Sequence, residues 1–207
     1  MNEWPEFFAR LPLIAILRGL TAAEAPAVGD ALVEAGFTLI EVPLNSPDPL
    51  DSIAVLSDRL AGRALIGAGT VRTPADVAAV AEAGGRLIVM PHGDPTVIAA
   101  AKGRGLVCAP GVATPTEAFA ALAAGADGLK LFPAEMLGPP VVKAWRAVLP
   151  PEVPLIPVGG IAPETMAAYR RAGAAGFGLG SALYRPGLPI AELATRAAAF
   201  VTAWNAD

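Results

Sequence analysis

Residues 114–132, TPTEAFAALAAGADGLKLF, hold a complete helix-then-strand unit, and their reading decides the fold. Thr114 can accept a hydrogen bond from the amide three residues on, Glu117 can return it, and Pro115 presets φ at the first helical position. An alanine-rich stretch follows, and Ala124-Gly125 supplies the residue type that ends a helix in the left-handed conformation. The chain then turns apolar from Asp127 to Phe132, the length of one buried strand. The same punctuation recurs throughout. Helix starts stand at Thr21 with Glu24, Ser46-Pro47, Thr73-Pro74, Asp94-Pro95 and Ala162-Pro163, and glycine closures at Gly36, Gly84, Gly105 and Gly173. Between them lie the other apolar runs: Leu13–Leu17, Thr38–Val42, Ala64–Ala68, Arg86–Met90, Leu106–Ala109, Pro154–Val158 and Ala174–Leu179. Strands alternating with helices predict a parallel α/β sheet. Eight of them favour a single (β/α)8 TIM barrel over residues 1–207, with an extra N-terminal helix near Glu3–Arg10 that would cover the barrel floor. A doubly wound sheet stays open, because strand count alone does not close a barrel.

Composition narrows the function classes. Hydrophobic residues make up 54% of the chain but are broken into short runs, so none reaches the roughly 20 apolar residues of a membrane span. Met1 to Arg10 carries Glu3, Glu6 and aromatic residues where a secretory leader would start basic and then turn apolar. A net charge of −4 without a basic cluster predicts no nucleic-acid partner. The single cysteine, Cys108, sits in an apolar run and reads as a small buried hydrophobe in a reducing, cytoplasmic setting.

In a barrel, chemistry sits at the C-terminal ends of the strands, so polar residues there carry most weight. Lys130 is the strongest signal. Strand alternation sends Leu129 and Leu131 towards the helices and Lys130 and Phe132 inward, which commits a lysine to the core. Burial disfavours the ammonium form, and the neutral amine is a nucleophile for a ketone. Lys102 and Lys143 fall in helical segments, where a solvated side chain is the default. Glu41 obeys the same parity, with Ile40 and Val42 facing out, so a carboxylate shares the pocket and can shuttle protons. Arg18, ending the first strand, offers a planar fork of donors for a carboxylate. Gly159-Gly160 and Gly180-Ser181 follow strands seven and eight, where many barrels hold phosphate on backbone amides. His92 reads as a surface-loop residue, and one histidine with one cysteine makes no cluster of nitrogen and sulfur metal ligands. No metal or cofactor is expected.

These residues resemble a known family, the 2-keto-3-deoxy-6-phosphogluconate and 4-hydroxy-2-oxoglutarate aldolases. The resemblance is carried by LIAILRG (13–19), EVPLNSP (41–47), IGAGTV (66–71), CAPG (108–111), TPTEAF (114–119), LKLFP (129–133), VGGI (158–161) and LGSALY (179–184), and covers nearly the whole chain. It implies a class I aldolase in which Lys130 forms the Schiff base, Glu41 is the acid/base, and Arg18 and Thr70 contact the pyruvate half. It also implies that Gly159, Gly160, Gly180 and Ser181 hold phosphate. Phe132 and Val158 would line the substrate pocket. Asn45, where the gluconate branch carries Arg, and Val158, where it carries Thr, make the chain look like the branch acting on 2-dehydro-3-deoxy-6-phosphogalactonate. Phe132-Pro133-Ala134-Glu135 reads instead like the gluconate branch. The implied products are pyruvate and D-glyceraldehyde 3-phosphate, and the implied assembly is a homotrimer. Two other readings use the same glycine loops. A phosphate-binding isomerase or epimerase has no need of an inward lysine, and in a non-catalytic metabolite-binding barrel Lys130 and Glu41 would simply neutralise one another.

Overall fold

The computed structural model describes residues 3–206. Helix α1 (Trp4–Arg10) leads into β1 (Leu13–Ile16), α2 (Ala25–Glu34), β2 (Leu39–Pro43), α3 (Pro49–Arg59) and β3 (Leu65–Gly69). The chain continues through α4 (Pro74–Glu82), β4 (Leu87–Val89), α5 (Pro95–Gly103), β5 (Val107–Ala109), β6 (Gly111–Val112) and α6 (Pro115–Ala123). It ends with β7 (Leu129–Leu131), α7 (Pro139–Arg146), β8 (Leu155–Pro157), α8 (Pro163–Arg171), β9 (Phe177–Leu179) and α9 (Ile190–Asn205). Residues 1, 2 and 207 of the chain assigned to one domain lie outside the described residues.

Six parallel strands form a curled sheet in the order β5-β4-β3-β2-β1-β9, and β6-β7-β8 form a second parallel sheet. Neighbours descend in chain order from β5 to β1, and β1 then pairs with β9, the last strand, so first and last strands lie side by side. The sheets approach each other at β8 and β9, where Val158 bridges Gly178 and the Ala175 amide donates to the Leu155 carbonyl over 2.9 Å. At the other junction a single residue, Pro110, separates β5 from β6. Proline has no amide to give to a ladder, and its carbonyl instead accepts from the Lys130 amide at 2.9 Å. The fifth apolar run is thereby extended, but as two segments.

Strand parity sorts the core into two clusters. Ile40, Val42, Leu129 and Leu131 pack with the helices. Ile14, Ile16, Leu39, Leu65, Leu87, Val107, Ile156 and Val158 form the inner cluster, joined by Trp4 and Phe7 of α1. Gly67 is required here, because a Cβ would overlap the backbone of Leu87 on the next strand.

Local chemistry moves several expected boundaries. Thr73 with Asp76 and Thr114 with Glu117 form reciprocal capping boxes, and the Asp94 side chain accepts from the Thr96 amide. The helix expected at Ser46-Pro47 begins instead at Pro49, since the Ser46 hydroxyl accepts from the Gly19 amide at 2.9 Å and ties two strand-end loops together. Glu24 and Thr21 do bond, but across a turn before α2. Asp127 lies ahead of β7 because its carboxylate accepts from the Cys108 amide and from Lys102 Nζ, at 2.8 and 2.6 Å. No helix among the described residues is long and apolar enough to cross a membrane.

Candidate active site

At the C-terminal ends of the strands opens a cavity of about 480 Å³. All ten residues singled out from the sequence line it: Arg18, Glu41, Thr70, Lys130, Phe132, Val158, Gly159, Gly160, Gly180 and Ser181. His92 is exposed and is not part of the lining, although Pro91 beside it is.

Lys130 is 8% exposed and Glu41 only 1%, yet no direct ion pair joins them. Burial holds the Lys130 ammonium below its ordinary range; the Glu41 charge opposes that effect and the Arg18 charge adds to it. The amine lies 4.8 Å from the centroid of the Phe132 ring, which shields one side of it. Glu41 shows the complementary shift. Desolvation pushes its carboxyl up to about 7, against the pull of Lys130, Arg18 and the Gly69 backbone. Its Oε2 has no hydrogen-bond partner among the described residues, an unusual state for a buried carboxylate oxygen. Glycine at position 69 leaves the carboxylate its present place, since a Cβ there would overlap it and force the side chain to shift.

Thr70, next along from Gly69, holds φ at 59°, a left-handed conformation that costs a β-branched residue energy and commonly marks a functional turn. Arg18 is exposed, and its guanidinium donates to the Asn45 side-chain oxygen at 2.5 Å. That bond gives the arginine a fixed direction across the cavity mouth. Asn45 therefore reaches the site through Arg18.

The far end is built from the two glycine loops. Gly159 and Gly160 have φ of 110° and 63°, backbone that side chains rarely adopt. The amides of Gly160, Ser181 and Ala182 donate no hydrogen bond among the described residues, so this end presents donors to whatever enters. Sequence reading did not single out Glu135 and Arg185, which also line the cavity. The Glu135 side chain lies against both glycines, and Arg185 Nε donates to the Ser181 carbonyl at 3.1 Å. Both residues lie outside the strands, where periodicity carries no signal; only the motif around Glu135 drew notice, and for its branch rather than its position. Among the described residues no three His, Cys, Asp or Glu side chains gather as metal ligands. Cys108 is buried, with its thiol pushed up to about 12 by desolvation.

The chain is similar to known aldolases in sequence and in fold. The 2-dehydro-3-deoxy-6-phosphogalactonate aldolase of Escherichia coli (strain K12) is 50% identical over 196 residues, covering 95% of this chain and 96% of that one. A native KDPGal structure superposes with a TM-score of 0.94 at 50% identity, covering 95% and 96%. A KDPG aldolase from Legionella pneumophila, with pyruvate captured as a covalent carbinolamine intermediate, superposes at 0.82 with 28% identity, covering 94% and 95%. A profile of KDPG and KHG aldolases matches residues 6–192, nearly the whole length, and the chain belongs to that family.

Proposed function

We propose that this chain is a class I, Schiff-base aldolase that cleaves 2-dehydro-3-deoxy-6-phosphogalactonate to pyruvate and D-glyceraldehyde 3-phosphate. The observation that carries it is a buried lysine with a depressed pKa, unpaired with the buried carboxyl that shares its cavity. Two groups whose environments push their pKa values towards neutrality from opposite sides suit nucleophile and proton shuttle. The neutral Lys130 amine adds to the C2 ketone, and loss of water leaves a protonated imine. Glu41 takes the C4 hydroxyl proton as the C3–C4 bond breaks. The bonding pair flows into the imine to give an enamine, and the aldehyde departs. Proton return to C3 and hydrolysis of the imine then release pyruvate and free Lys130.

Arg18 and Thr70 hold the carboxylate end, and Phe132 packs beside the imine carbon. Gly159, Gly160, Gly180 and Ser181 offer amides to the phosphate, with Arg185 adding a cation nearby. Val158 stands between the two ends. The fold reading that goes with this is a closed (β/α)8 barrel. It is supported by the bridge from β8 to β9 and by β5 and β6 acting as one stave through Pro110, with α1 against the inner cluster as its floor. A homotrimer and a cytoplasmic setting belong to the same reading; exposed Phe119, Met136 and Val148 offer apolar surface for assembly, and the free Cys108 suits a reducing compartment.

Borohydride reduction in the presence of pyruvate tests the chemistry, with mass spectrometry expected to find the adduct on Lys130. A coupled assay of pyruvate release on the galactonate and gluconate epimers tests the substrate. No adduct on Lys130 overturns the mechanism, and a faster gluconate epimer overturns the substrate assignment.

A further inference from the structure

Glu135 presents an anion where the proposed substrate must place one. It lies in the segment after β7, which the Ala134 amide fastens to the Val158 carbonyl at 2.9 Å. A Cβ built on Gly159 would overlap the Glu135 carboxylate, and one on Gly160 would lie 2.6 Å from Glu135 Cγ. The side chain thus covers the open faces of both glycines. It is exposed and makes no hydrogen bond or ion pair among the described residues, so little resists its outward swing. Arg185, which also lines the cavity, is engaged by the Ser181 carbonyl.

We propose that Glu135 is a specificity-setting carboxylate. It covers the glycine pair in the empty cavity, must be displaced by an incoming phosphate monoester, and so weakens the preference for phosphorylated over unphosphorylated 2-keto acids. The proposal rests on the assignment of the glycine loops as the phosphate end. Two negative groups standing over the same glycine pair repel, and that repulsion falls away as the Glu135 side chain moves into water. An entering dianion therefore meets a removable barrier.

The test is the Kd of inorganic phosphate, measured by titration calorimetry on the wild-type protein, Glu135→Gln and Glu135→Ala. Removing the charge and the bulk in Glu135→Ala should tighten phosphate roughly fivefold, with Glu135→Gln between the two. The KM for the phosphorylated substrate should fall in the same order. An unchanged or weaker phosphate Kd in Glu135→Ala overturns the proposal. Borohydride trapping of pyruvate on the wild-type protein separates the two readings. Absence of the adduct with tighter phosphate binding in Glu135→Ala rejects the aldolase and keeps the carboxylate's role. An adduct with unmoved phosphate affinity does the reverse.

Discussion

The two ends of the inner sheet face are made by the same strands and differ in everything else. On β2, Leu39 and Glu41 both point inward, two residues apart; Leu39 joins the apolar cluster beneath which Trp4 and Phe7 pack, while Glu41 enters the cavity. Along β1 the inward series is Ile14, Ile16 and then Arg18; along β8 and its loop it is Ile156, Val158 and Gly160. Parity selects the face, and distance along the strand selects between packing and chemistry. The apolar end supplies stability and a dry wall, and burial is the largest cause of both pKa shifts at the charged end.

If that division holds, changes at the mouth cost catalysis and changes at the floor cost stability. The largest effect is expected from Lys130→Ala, which should lower kcat on the order of 10⁴-fold or more and abolish borohydride trapping, with the fold intact by circular dichroism. Retained activity would remove the lysine from the mechanism. Glu41→Gln should lower kcat by roughly 10² to 10⁴ with little change in binding. It should also remove a pH-dependent contribution to stability. A carboxyl raised from 4.5 to about 7 by folding favours the native state below pH 4.5, and that contribution is lost as pH rises through 7. The difference amounts to about 3 kcal/mol. Urea unfolding at pH 4.5 and pH 8 should show Glu41→Gln gaining about that much on the wild type over the interval, and parallel curves would refute the buried, raised carboxyl.

At the floor, Leu39→Ala leaves a hole in a fully buried position beside Trp4, Phe7 and Leu65 in the same cluster. A loss of about 2 to 5 kcal/mol is expected in urea unfolding, while kcat at a temperature where the variant is folded should change less than about threefold. A large fall in kcat without a fall in stability would show that the two ends are not separable.

The division also explains what was legible beforehand. Lys130 and Glu41 could be found because a strand's period of two is rigid, and a charged residue at an inward position has nowhere else to go. The glycine loops were legible from their place after the last two strands. Departures came from local chemistry: Ser46 joining two loops shifted the start of α3, Asp127 accepting from a neighbouring amide delayed β7, and Pro110, with no amide to give, set β6 apart as a short extension beyond the fifth run. The position of Glu135 over the glycine pair, the contribution of Arg185 and the dependence of Arg18 on Asn45 were hidden because irregular backbone has no period from which to infer a partner.

The smallest effect is expected at Val158, the residue on the boundary between the two ends. Its side chain packs in the inner cluster beside Ile16 and against Gly178, and it also lines the cavity. It offers no hydrogen-bonding group, so a C4 hydroxyl aimed at it would lose water without replacement, at about 1 to 3 kcal/mol. The epimer that turns its hydroxyl elsewhere avoids that cost. Val158→Thr keeps the volume but adds a donor and acceptor, so the ratio of kcat/KM values for the two epimers should move towards the gluconate form by roughly tenfold. Because both epimers are assayed on one protein, any destabilisation from placing a hydroxyl against the apolar cluster cancels from the ratio. An unchanged ratio would transfer epimer selection to the mouth, where the bond between Asn45 and Arg18 sets the direction of the guanidinium.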